Sequence, residues 1–140
     1  MTLRFLDTNI LVYSLSRTPE DQWKRARAHA VLQEGGNALS VQVLQEFYVQ
    51  ATRPSARHLI SHEQTLVIIA EWKRFPVQPM TLEVLFEAFR IKALTGFSYW
   101  DSAILAAARA LGCDTVLTED LSHGQVVEGM RIVNPFLPAA

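Results

Sequence analysis

Apolar residues in this chain fall in short runs, and between the runs their spacing changes to a helical one. Leu3 to Leu6 is such a run and predicts a strand; the apolar positions that follow, Ile10, Leu11 and Tyr13, are spaced for a helix. The same change repeats along the sequence. Further strands are expected at Ala38-Leu39-Ser40, Phe75 to Gln78, Thr115 to Thr118 and Arg131-Ile132-Val133. Thr18-Pro19-Glu20-Asp21 reads as a helix start, with Thr18 at the N-cap and Pro19 at N1, and that helix ends at Gly35-Gly36. Ser40 caps a helix running to about Thr52, which Arg53-Pro54-Ser55 breaks. Ser61-His62-Glu63-Gln64 is a capping box for the next one. Thr81 opens a helix closed by Gly96, and Ser98 opens an alanine-rich helix ending at Gly112. Pro76 and Pro79 bracket the third strand, which places it at a sheet edge. Strands alternating with helices predict one α/β domain over residues 1–140, with a mainly parallel sheet of about five strands.

The carboxylates change this picture from a scaffold to a site. Asp7 emerges at the C-terminal end of the first strand, where open parallel sheets bind ligands. Its ordinary role would be to N-cap the following helix. Glu46 lies mid-helix with Gln42 and Gln50 four residues away and Val43 and Val49 three away, so no helical salt bridge is available to it. Asp101 suits the third position of a capping box with Ser98, yet it shares a stripe with Ile104, Leu105 and Ala108, the face expected to meet the sheet. An acid there is costly to bury unless it is paired or bound to metal. Asp120 follows the strand at Thr115 to Thr118, and Glu119 competes with it for any role. Acids brought together raise each other's pKa values. A hard divalent cation relieves that repulsion, and Mg²⁺ takes oxygen ligands while keeping waters.

Composition narrows the partners. The chain has 140 residues, 49% hydrophobic, so a proper core is expected, and its formal charge of −1 sets up no global basic field for nucleic acid. Lys24, Arg25 and Arg27 form one local basic cluster, and Arg53 with Arg57 another, to offset phosphate charge; for any one of them a solvated helix face or terminus is the favoured reading. The single cysteine, Cys113, excludes an internal disulfide and fits a reducing compartment as an inert buried thiol. The longest strongly apolar run, Leu66 to Ala70, is far short of the roughly 20 residues that span a membrane. A soluble cytoplasmic protein is expected.

The ordered motifs resemble those of the PIN-domain nucleases, specifically the VapC-type toxins of bacterial toxin–antitoxin pairs. The likeness rests on Phe5-Leu6-Asp7-Thr8-Asn9, Gln45-Glu46-Phe47, Tyr99-Trp100-Asp101-Ser102-Ala103-Ile104, Leu117-Thr118-Glu119-Asp120-Leu121 and the closing Gly129 to Phe136. It implies a Rossmann-like three-layer fold and a metal-dependent endoribonuclease using Mg²⁺, with Mn²⁺ as a substitute. Asp7, Glu46, Asp101 and Asp120 would be its acids, and Asn9 and Thr118 supporting polar residues. No catalytic histidine belongs to the pattern, which leaves His123 as a loop residue and His29, His58 and His62 at the surface. RNA would be the substrate, a cognate antitoxin the partner, and a homodimer the assembly. Two rivals share the fold: an interaction domain without catalysis, against which the presence of all four acids counts, and a DNA-cleaving nuclease.

Overall fold

The computed structural model describes residues 2–54 and 60–137. The strands are β1 (Arg4–Leu6), β2 (Asn37–Ser40), β3 (Val77–Gln78), β4 (Thr115–Leu117), β5 (Val126–Val127) and β6 (Met130–Val133). The helices are α1 (Thr8–Tyr13), α2 (Gln22–Gln33), α3 (Val41–Thr52), α4 (His62–Trp72), α5 (Leu82–Thr95) and α6 (Tyr99–Ala110). The six strands form one sheet in the order β3-β2-β1-β4-β6-β5, parallel except for β5 against β6.

This order puts β1 near the middle and creates a switch point. The chain moves outward from β1 through β2 to β3, then returns to place β4 on the other side of β1. Neighbouring strands whose connections run opposite ways leave a crevice beyond their carboxyl ends. The register Leu6↔Leu117 aligns the ends of β1 and β4, and Asp7 N–H donates to the Leu117 carbonyl at 3.0 Å. Asp7 and Thr118 thus leave the sheet side by side.

Packing fixes that edge. Phe5, Leu6, Leu39, Val116, Leu117 and Ile132 are buried in the sheet, and Ile10, Leu11, Val43, Phe47 and Leu105 are buried from the helices. Each such side chain contributes about 1.5–3 kcal/mol when fully buried. Helix α5 packs along α6, while α3 lies against α1 and α4. Helix α5 stops at Gly96, whose φ of +75° is the left-handed conformation glycine adopts without strain. Gly36 turns the chain into β2 at φ +84°, where an added Cβ would meet the Thr2 carbonyl oxygen at 2.8 Å.

Two expectations change. A sixth strand, β5, pairs antiparallel with β6 at the edge; it is only two residues long, flanked by Gln125 and Glu128, too short to show a period in sequence. Thr18 makes no side-chain cap. Pro19–Asp21 is a 3₁₀ turn, and α2 begins only at Gln22, whose side-chain amide donates to the Ser16 and Thr18 carbonyls. The capping box at Ser61 and Gln64 is present with both bonds made.

Candidate functional site

Separate parts of the chain deliver the carboxylates. Asp7 is the N-cap of α1, its Oδ1 accepting from the Thr8 N–H at 2.7 Å. The capping role is therefore real, and it does not exhaust the residue, because Oδ2 accepts from the Thr118 hydroxyl at 2.7 Å. Glu46 projects from the middle of α3 and is held by neutral donors alone: the Thr8 hydroxyl at 2.7 Å on Oε2 and the Gln42 amide at 2.8 Å on Oε1.

Asp101 occupies the first turn of α6, where its N–H donates to Ser98 Oγ at 3.1 Å. The return bond of a capping box is not made, so its carboxylate has no hydrogen-bond partner among the described residues. Asp120 follows β4. Its N–H donates to Thr118 Oγ1 at 3.1 Å, and its Oδ2 accepts from Asn9 Nδ2 at 3.1 Å. Thr118 therefore links Asp7 to Asp120 through one oxygen.

All four acids line one cleft of about 210 Å³, together with Thr8, Asn9, Gln50, Trp100 and Ile104, and among the described residues no lysine or arginine lines it. Burial raises the Asp7 pKa from 3.8 to about 6, against the lowering effect of the Thr118 and Thr8 hydrogen bonds; the charges on Asp120 and Glu46 add to the rise. Asp120 is also raised, by burial first and then by the charges on Glu119, Asp101 and Glu46. Asn9 Oδ1 is buried without a partner.

The neighbouring acid, Glu119, is held elsewhere by its own contacts. Glu119 accepts from the Tyr13 hydroxyl at 2.6 Å and from Lys24 Nζ at 3.0 Å, which holds it out of the cleft lining. This leaves Lys24 paired rather than free for phosphate. Arg25 donates to the Ser16 carbonyl and Arg27 to that of Pro135, so the Lys24–Arg25–Arg27 cluster is largely engaged in holding its own helix to the fold. Arg57 and His58 lie outside the described residues. His29, His62 and His123 are exposed and line none of this cleft. A larger groove of about 640 Å³ includes Val84, Glu87, Ala106 and Arg109, but none of the four acids reaches it, and Glu87 is paired with both Arg90 and Arg109.

Thr8 and Gln42 are the residues whose part the sequence leaves unmarked. Gln42 stands one helical turn before Glu46, which is a usable signal; Thr8 meets Glu46 only through the fold.

As the side chains stand, no three acids among the described residues converge into a ready-made metal cage. The donor set still fits a hard cation: it is all oxygen, it holds no compensating positive charge, and Asp101 and Asn9 Oδ1 are unpartnered. Mg²⁺ in particular keeps several waters and is usually bound through one or two carboxylates.

Several solved structures share this architecture. A toxin–antitoxin complex from Klebsiella pneumoniae superposes with a TM-score of 0.67 at 18% identity, over 95% of this chain and 98% of that one. The DNA-bound VapBC of Salmonella typhimurium gives 0.64 at 22%, over 94% and 97%. VapC20 of Mycobacterium tuberculosis, described as a toxin that cleaves the sarcin–ricin loop, gives 0.65 at 16%, over 91% and 98%. No curated protein matches at the level of sequence. Identities this low establish a common fold and no more. The sequence profile of the PIN domain, however, matches residues 4–128, from β1 past Asp120, and by that match the chain belongs to the PIN domain family.

Proposed function

We propose that this chain is a divalent-cation-dependent endoribonuclease, the toxin of a type II toxin–antitoxin pair, with Asp7, Glu46, Asp101 and Asp120 as its acidic centre. One observation carries this reading: acids up to 113 positions apart line a single cleft in which, among the described residues, no basic side chain stands. The solved VapBC and toxin–antitoxin structures of the same fold support the functional context. A cognate antitoxin and a homodimer are proposed on the same ground, with the cytoplasm as the compartment.

The chain's own residues divide the work by how firmly each is held. Asp7 is fixed on both oxygens, by the Thr8 amide and the Thr118 hydroxyl, and serves as the rigid ligand. Asp101, unpartnered at the start of α6, is the ligand free to close on a cation. Glu46, with two neutral donors, orients a water between the carboxylates. Asp120, whose Oδ1 has no hydrogen-bond partner among the described residues, takes a proton from that water in this reading, while Asn9 and Thr118 hold it in position. The chemistry that Mg²⁺, or Mn²⁺ in its stead, supplies when bound is stabilisation of charge on phosphoryl oxygens and a lowered pKa for water.

The test is cleavage of single-stranded RNA and of DNA of the same sequence by purified protein. EDTA should abolish RNA cleavage and added Mg²⁺ or Mn²⁺ restore it, with DNA left intact. Undiminished RNA cleavage in EDTA would falsify the metal mechanism, and preferential cleavage of DNA would replace the substrate.

A further inference from the structure

A second groove, about 390 Å³, opens beside the acidic cleft and shares Glu46, Gln50 and Trp100 with it. Its other walls are Gln42, Gln45 and Val49. The α3 positions fall at intervals of three and four, so they form one helix face. Trp100 stands opposite that face in the first turn of α6. Its side chain is 63% exposed, and its recorded ring contact is edge-on to Tyr99 at 5.0 Å.

The chemistry of the walls selects the occupant. Among the described residues Glu46 is the one charged side chain in the lining, and it repels anions. The rest is an indole face, a valine and three carboxamides. Gln42 uses its amide on Glu46 and on the Trp100 carbonyl, whereas Gln45 and Gln50 have no hydrogen-bond partner among the described residues. A carboxamide offers a donor and an acceptor side by side, the pair that reads a base edge. Nucleic acid alternates anionic phosphates with neutral flat bases. A stacking groove walled mainly by uncharged side chains, next to a cleft suited to a cation-held phosphate, matches that alternation.

We infer that this groove is a base-binding subsite, in which a nucleobase adjoining the scissile phosphate stacks on Trp100 and presents its edge to Gln45 and Gln50. The inference rests on the nuclease reading and adds to it the part of the substrate that is recognised. Stacking on an aromatic side chain is sequence-tolerant, so base preference would come from the two glutamines.

Steady-state cleavage of a short single-stranded oligoribonucleotide tests this with Trp100→Ala, Trp100→Phe and Gln45→Leu. Trp100→Ala should raise KM by about 10-fold or more, with kcat little changed, because stacking holds ground and transition states alike. Trp100→Phe should recover most of the loss, and Gln45→Leu should alter base preference at one position beside the cut. An abasic nucleotide at that position should weaken wild type and leave Trp100→Ala no worse. Titrating RNA into the Asp101→Asn variant should quench indole emission, and adding Trp100→Phe should remove the quench. A wild-type KM in Trp100→Ala overturns the subsite, as does a quench that persists without Trp100. A change of oligomeric mass with unchanged KM per chain would assign the face to contact between copies. Failure of the nuclease reading shows separately: wild type would not cleave, while the quench still decides whether a base binds at Trp100.

Discussion

Asp7 holds a carboxylate where burial opposes its charge. It caps a helix, accepts two hydrogen bonds and is nearly inaccessible, so its charge is retained at the cost of desolvation. Its pKa of about 6, against 3.8 for a free side chain, means the folded state binds more protons between those values. Metal-free stability should therefore fall as pH rises from about 4 to about 6, and stay reduced above that. Asp7→Asn keeps an acceptor for the Thr8 N–H and can donate to Thr118 Oγ1. In urea unfolding without metal, the variant should match wild type near pH 4 and exceed it at pH 7 by on the order of 2–3 kcal/mol. A variant less stable than wild type at pH 7 would sink the argument. Mg²⁺ should stabilise wild type, through binding to the folded state only, and stabilise the variant less. At this scale much was legible. Glu46 has no helical salt bridge open to it in the sequence, and in the fold neutral Thr8 and Gln42 hold it at the cleft. Which of Glu119 and Asp120 lines the cleft was not legible, because Glu119 is held by Tyr13 and Lys24 across 106 and 95 positions.

Elements aim the acids, and their ends matter more than their middles. Ser98 holds the first turn of α6 through the Asp101 N–H, and that turn carries both Asp101 and Trp100. Ser98→Ala should cost about 1 kcal/mol in chemical denaturation. It should also lower kcat for RNA cleavage at saturating metal, since the unheld turn lets Asp101 drift from the cleft. Loss of stability with kcat intact would show that the cap serves the helix alone. Strand and helix order was readable because each buried strand is an apolar run and most helices announce a cap. What escaped depends on pairing rather than periodicity: β5 exists because Val126 and Val127 find β6, and the start of α2 shifts because Pro19–Asp21 winds as a 3₁₀ turn.

The whole molecule is close to neutral, and its acidic cleft opens at the switch point of the sheet. A partner proposed to silence it would need a cation that the cleft lacks. Co-expression with the product of an adjacent small gene should yield a co-purifying complex that relieves growth arrest; arrest that persists, with no complex recovered, removes the antitoxin from the proposal. The sheet itself constrains how such a partner binds. Both of its edges are two-residue strands, β3 between prolines and β5 in an antiparallel turn. Edges so short give an incoming strand little backbone to zip onto. Recognition must then be written in side chains, on helices and loops, where single substitutions change the fit. Backbone pairing is generic, but a side-chain code diverges, so an antitoxin of the proposed kind would fit this chain and not every other chain of the same fold.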